Sequence, residues 1–306
     1  MDAALIERHR RFEDPEAGFG EEFLRPMIGG ARTIAVLTRP TGPVLDVGWV
    51  VCPSFGEEQA NLYRLDVMMA RALGAAGFPV LRFHGQGYGD SDGAVEAVSL
   101  SSHLADAADA VAVLRENAAV GGVGVVGASF GGAVAALVAD RLDLPLMVLC
   151  QPACDGASYV RSLLRSKELA RMANVGEGSN TERDRQGLRR ELSEGGWVDV
   201  NGFPLSARAA AEIDELDLVR DLGGFRGRSL VIAITRSGRA EPSLEALVSG
   251  LALPGGRSEL SLVRHSQAPR FGRTRPGGGF DPTFELEDRI AREIVDWGAR
   301  TSGSST

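Results

Sequence analysis

The sequence predicts an α/β fold in which a mostly parallel central sheet is covered by helices on both faces. Three observations predict it. Short apolar runs alternate with longer stretches of helical periodicity. A glycine-flanked serine stands between one such run and an alanine-rich helical stretch, "VGVVGASFGGAVAALVAD" at 123–140. Finally, 306 residues with 44% hydrophobic content suffice for one large core carrying an insertion.

In chain order, "TIAVLTRP", "DVGWVVCPSF", "FPVLRFHG", "VGVVGAS", "LPLMVLCQP", "SLVIAITRS" and "SELSLVRHS" read as strands. Between the second and third, Leu62, Leu65, Met69, Ala72 and Leu73 recur at three- and four-residue intervals up to Gly77, which predicts a crossover helix. A second helix starts at serines suited to an N-cap and carries Leu104, Ala108, Val111 and Leu114 along one face. The alternation stops over residues 151–225, which hold no convincing strand. Two helical stretches, "ASYVRSLLRSKELARM" and "LSARAAAEIDELDLVRDL", flank a polar segment around "NVGEGSNTERDRQG" that reads as mobile. The expected organisation is therefore 1–150 as the first part of the core, 151–225 as a helical insertion, 226–300 as the second part and 301–306 as a disordered tail.

Composition narrows the function classes. A formal charge of −8, with both signs mixed along the chain, argues against a nucleic-acid or anionic-membrane partner. The charged start "MDAALIERHRRFEDPEAG" lacks the apolar centre of a signal peptide, and no apolar run approaches the roughly 20 residues needed to span a bilayer. Cys52, Cys150 and Cys154 lack metal-knuckle and disulfide-framework spacing, so they read as reduced, mostly buried thiols of a cytoplasmic protein.

Gly127, Ser129 and Gly131 form G-x-S-x-G in the strand-to-helix context that gives the pattern meaning. Such a turn strains the serine backbone, leaves no room for side chains at the glycines and projects the hydroxyl from the carboxyl edge of the sheet, near a helix N-terminus. A serine hydroxyl needs a base. Of four histidines, His9 lies in a charged segment and His103 in the first turn of a helix, where a solvated or capping role is expected. His84 follows a strand, and His265 follows the last strand, which makes it the preferred base. The chain order Ser, acid, His points to Glu241, in the loop after "SLVIAIT", with Asp155 as the competing acid and Glu245 as a solvated helix residue. An oxyanion hole would take the backbone N–H of Phe130 and one from "CPSFGEE", with Phe55 first and Ser54 as the alternative. Glu57 and Glu58 there suit the first turn of a helix.

With these pieces in order, residues 31–299 resemble the α/β-hydrolase superfamily. "FPVLRFHGQGYGDSDG" is similar to its strand-plus-G-x-G-x-S turn, "GASFGG" to its nucleophile elbow, "SGRAEP" to its acid loop and "RHS" to its histidine loop. The insertion falls where many members carry a helical cap. His84 stands where the family often has aspartate, Glu241 replaces the commoner aspartate, and His265 lacks the usual neighbouring glycine. "PSFGEEQAN" and "NGFPLS" faintly resemble hydrolases associated with bacterial polysaccharide-export loci.

The resemblance implies an α/β-hydrolase fold and a capped serine hydrolase, cleaving an ester or thioester of a small, partly apolar acyl substrate through an acyl-enzyme on Ser129. Phe55, Phe130, Tyr159 and Leu163 would line the acyl pocket, without metal or cofactor. The partner is a small molecule, with no nucleic acid and no membrane insertion, and a homodimer is compatible. The alternatives are acyl transfer, cyclisation or amide cleavage by the same triad, or ligand binding without turnover.

Overall fold

β-branched and apolar runs of four to eight residues build the centre of the molecule, seen in a computed structural model that describes residues 10–174, 187, 190–194, 196–252, 256–265 and 284–302. The strands are β1 (Arg11–Asp14), β2 (Phe19–Leu24), β3 (Met27–Ile28), β4 (Ala31–Arg32), β5 (Ala35–Pro40), β6 (Val47–Cys52), β7 (Val80–Phe83), β8 (Gly122–Ala128), β9 (Leu146–Cys150), β10 (Trp197–Val200), β11 (Phe203–Ser206), β12 (Arg228–Thr235) and β13 (Arg257–Arg264). Nine of them form one sheet in the order β1-β2-β5-β7-β6-β8-β9-β12-β13. The β1–β2, β2–β5 and β5–β7 pairs are antiparallel, and every later pair is parallel. All seven predicted strands are present.

The helices are α1 (Glu57–Ala75), α2 (Leu100–Asn117), α3 (Phe130–Arg141), α4 (Gly156–Asn174), α5 (Ala207–Asp214), α6 (Leu218–Asp221), α7 (Pro242–Ala252) and α8 (Glu285–Ser302). Because side chains alternate along a strand, β6 sends Trp49 and Val51 to one face and Val50 and Cys52 to the other. The first face is covered by α1, through Leu62, Leu65, Met69 and Leu73, and by α8, through Ile290, Ile294 and Trp297. The second is covered by α2, α3 and α7, with Leu104, Val111, Val134 and Leu247 among the buried residues. As expected, α2 is capped by a serine: Ser99 Oγ accepts from the Ser102 amide while Ser102 Oγ accepts from that of Ser99.

Three elements depart from the sequence reading. The β1–β2 hairpin extends the sheet beyond β5, held to the first face because Glu21 accepts from Arg71 (2.6 Å) and Arg82 (3.0 Å). The segment between β9 and β12 is not purely helical, since β10 and β11 pair as a hairpin across Asn201 and Gly202, both at positive φ. The helical stretch at 205–222 splits into α5 and α6, because Asp217 caps α6 by accepting from the Val219 and Arg220 amides. The expected tail begins inside α8, which runs to Ser302, and most of the polar segment at 174–187 lies outside the described residues, as does His9. Cys52, Cys150 and Cys154 are free and buried. Among the described residues no helix is long and apolar enough to cross a membrane, and no group of three or more His, Cys, Asp or Glu could hold a metal ion.

Candidate active site

Strands β8, β9, β12 and β13 run parallel, so the residues just past their carboxyl ends, Ser129, Asp155, Glu241 and His265, fall on one edge of the sheet. Ser129 occupies the turn between β8 and α3 at φ 51°, ψ −120°, a conformation strained for any side chain. The flanking glycines are required sterically. A Cβ at Gly127 would stand 2.1 Å from the Gly131 carbonyl oxygen, and one at Gly131 2.3 Å from that of Cys52. The turn is pinned on both sides, the Ser129 amide donating to Cys150 O (3.0 Å) and its carbonyl accepting from the Gly132 and Ala153 amides (both 3.0 Å).

The loop after β6 packs against this turn. Ser54 Oγ donates to Ala128 O (2.8 Å) and accepts from the Gly131 amide (3.0 Å), so one buried hydroxyl staples the loop to the elbow. Phe55 is buried with its ring 5.6 Å from that of Phe130. The next amide, Gly56 N–H, is taken by Tyr88 Oη at 2.8 Å.

The group that meets the Ser129 hydroxyl is one to which the sequence reading assigned only a helix-terminus role. Ser129 Oγ donates to Glu58 Oε1 at 2.6 Å, while Glu58 Oε2 accepts from Tyr159 Oη at 3.0 Å and from the Phe130 amide at 3.4 Å. Gly56, at φ 60° and ψ −137°, turns the chain into α1 and thereby sets Glu58 against the elbow. Burial pushes the Glu58 carboxyl above its ordinary range, and the hydrogen bonds from Ser129, Tyr159 and Phe130 pull it back only partly. Its neighbour Glu57 turns instead to Asn201 of the β10–β11 turn, whose Nδ2 also donates to Ser166 Oγ at 2.9 Å.

The remaining candidates are placed as follows. His265 is half-buried, its amide donating to Thr235 O at 3.0 Å, which sets it beside the end of β12. The loop that leads to Glu241 is ordered from the same threonine: Thr235 Oγ1 donates to Arg239 O (2.7 Å) and accepts from the Gly238 amide (3.2 Å). Glu241 is exposed where α7 begins, its carbonyl accepting from the Leu244 and Glu245 amides. Asp155 is also exposed, but its carboxylate accepts from the Ser158 amide at 2.6 Å at the start of α4 and pairs with Arg161 at 3.7 Å; these contacts hold it below its ordinary range. Tyr159 is buried and stacked 5.2 Å from Phe130, while Leu163 packs half-buried against the core. His84 is half-buried against Tyr63 on the α1 side, where burial lowers its basicity.

The expectation for His103 is corrected. It is neither solvated nor a cap but buried, its ring among Phe55, Tyr88 and Phe130 and its Nδ1 2.9 Å from Ser99 O, because its position faces the core side of α2.

Residues 56–185 match the family model described as serine aminopeptidase, S33. No curated protein sequence matches the chain. Among solved structures, Est1E from Butyrivibrio proteoclasticus bound to ferulic acid is 17% identical over 89% of this chain and 97% of its own, with a TM-score of 0.57. An esterase from Pyrococcus furiosus is 12% identical over 94% of both chains, with a TM-score of 0.60. The enol-lactonase from Burkholderia xenovorans is 18% identical over 90% of this chain and 99% of its own, with a TM-score of 0.52. The chain is an α/β-hydrolase by fold.

Proposed function

We propose that this α/β-hydrolase chain is a serine hydrolase that cleaves an ester or thioester of a small, partly apolar acyl group through an acyl-enzyme on Ser129. The observation that carries the reading is the strained backbone of Ser129 in a turn whose two glycines admit no side chain. A protein holds such strain where the surroundings over-determine it, and the usual return is a hydroxyl presented to a substrate. In this reading His265 takes the proton from Ser129 Oγ as the oxygen attacks the acyl carbonyl and hands it to the leaving group; water then attacks the acyl-enzyme by the same route. Glu241 orients the histidine. The division of labour with Asp155 is supported by the contacts Asp155 already makes to Ser158 and Arg161 at the head of α4. Phe130 N–H serves the oxyanion together with the amide of Phe55, and the Phe130 and Tyr159 rings offer an apolar wall to the acyl group.

A second reading, cleavage of an amide by the same residues, is favoured by the match of residues 56–185 to the S33 serine aminopeptidase family. Labelling with a fluorophosphonate tests the common premise, with modification at Ser129 expected in the wild-type protein and none in Ser129→Ala. Folded protein that takes no label overturns the premise. Turnover of p-nitrophenyl esters, thioesters and amides of graded acyl length then separates the two readings.

A further inference from the structure

Glu58 brings a carboxyl to a place where a serine hydrolase ordinarily puts amides. Its two oxygens reach the nucleophile and Phe130 N–H, the backbone donor expected to face a forming oxyanion. The carboxyl therefore reaches the oxyanion side of Ser129 through Phe130 N–H, and when its proton sits on Oε1 the 2.6 Å bond runs from Glu58 to Ser129 Oγ. A carboxylate there would oppose the negative charge that grows on the carbonyl oxygen. A carboxylic acid would instead donate to it.

The surroundings decide between the two forms. Among the described residues no cationic side chain is among the groups that meet Glu58. Ser129 and Phe130 meet it from the elbow, Ser54 from the β6 loop and Tyr159 from α4. The titratable groups nearby among the described residues are uncharged at neutral pH or face elsewhere. Tyr159 and Tyr88 are held protonated by burial, His103 is kept neutral by burial, and Glu57 on the same helix turns to Asn201. A sealed carboxyl without a cation is stabilised by holding its proton.

We propose that Glu58 is a side-chain member of the oxyanion site, a carboxylic acid whose O–H joins Phe130 N–H in holding the oxygen that becomes negative when Ser129 attacks. The inference rests on the reading of Ser129 as nucleophile. In the step, the Oγ–C bond forms, the carbonyl π pair moves onto oxygen, and the Oγ proton goes to His265. Glu58 keeps its proton throughout and contributes a hydrogen bond. Collapse of the adduct restores the carbonyl and expels the leaving group with the proton from His265. Tyr159 Oη, donating to the other carboxyl oxygen, positions the acid. Substrate entry requires the Ser129–Glu58 bond to open, the carbonyl oxygen taking the place of Oγ as the partner of Oε1.

The test compares Glu58→Gln and Glu58→Ala with wild type in the rate of fluorophosphonate labelling of Ser129 and in p-nitrophenyl ester kcat/KM between pH 5 and 10. Glutamine keeps a neutral donor of the same shape. The expected outcome is activity within about tenfold of wild type for Gln and a loss of about 100-fold or more for Ala. The wild-type rate should fall as alkali ionises Glu58, a decline absent from the Gln variant. Infrared difference spectroscopy supplies a readout independent of activity: a protonated carboxyl band at pH 7 in wild type minus Glu58→Gln, a difference in which the contribution of buried Asp66 cancels. A Gln variant as inactive as Ala, while wild type labels normally, overturns the inference alone, because it makes Glu58 a proton acceptor. So does an Ala variant of wild-type rate, or a difference spectrum at pH 7 without the band. Absence of labelling in wild type overturns the hydrolase reading and this inference together.

Discussion

The α-carbon of Gly131 lies so close to the Cys52 carbonyl that a methyl group on it would come within 2.3 Å of that oxygen. The elbow is thus wedged against the end of β6, and the position of Ser129 depends on the absence of one side chain. Gly131→Ala is expected to lose about 3 kcal/mol of stability and most of its fluorophosphonate reactivity, since the backbone must move to admit the methyl group. Gly42→Ala, where nothing lies within 4 Å, should change urea-unfolding stability by less than about 0.5 kcal/mol. Equal behaviour of the two variants would contradict the steric account.

The two acids at the sheet edge should separate in a single experiment. Glu241→Gln is expected to lower ester turnover by about 100-fold or more with little change in melting temperature. Asp155→Ala is expected to keep turnover within a few-fold and to lose about 1 kcal/mol of stability, because it removes the acceptor for the Ser158 amide at the start of α4. Collapse of turnover in the Asp155 variant with normal turnover in the Glu241 variant would reverse the assignment.

Asp66, buried where α1 meets the sheet, makes stability fall with alkali. Burial pushes its carboxyl up to about 8, and the charge of Arg82 offsets this only in part. A carboxyl whose folded pKa exceeds its unfolded value of 3.8 contributes stability that is complete below about pH 4 and is lost as pH rises through about 8. Asp66→Asn should therefore gain on wild type as pH increases, by at least about 1 kcal/mol between pH 5 and pH 9. A melting-temperature difference that stays constant over that range would show that the proton does not remain on Asp66.

Glu21 behaves in the opposite sense. Burial alone would raise it, but the hydrogen bonds and charges of Arg71 and Arg82 hold it below its ordinary range, so its contribution is lost as pH falls. Glu21→Gln leaves the buried Arg82 guanidinium without its counter-charge and is expected to cost about 3 kcal/mol. Denaturant unfolding with the double variant Glu21→Gln/Arg82→Met as reference checks it, the second change recovering part of the loss.

What could be read from the chain was what local pattern determines. The seven strands and the elbow follow from apolar runs, a turn and a helix contiguous in sequence, and so does the Ser99 cap of α2. The β10–β11 hairpin was also written in the chain, as Asn201-Gly202 between short alternating runs, but surrounding helical periodicity masked it. Glu58 was not legible. Its role depends on Gly56 turning the chain so that a residue in the first turn of α1 meets a serine 71 positions later. The position alone suggested favourable charge at a helix terminus, which applies equally to Glu57. His103 was misread for a related reason, because its surroundings come from the β6 loop and α3, not from its own helix.

The Tyr159 hydroxyl bridges two parts of the chain that a protein engineer would regard as separable, the sheet with its crossovers and the segment between β9 and β12. Exchanging that segment for one from another fold relative would alter more than the shape of the roof. The side-chain donor to Glu58 Oε2 would leave with it, and so would the Asn201 amide that steadies Glu57. Under the proposed role of Glu58, a transplanted segment would have to present a hydroxyl at the position of Tyr159, so that selectivity and chemistry would be inherited together.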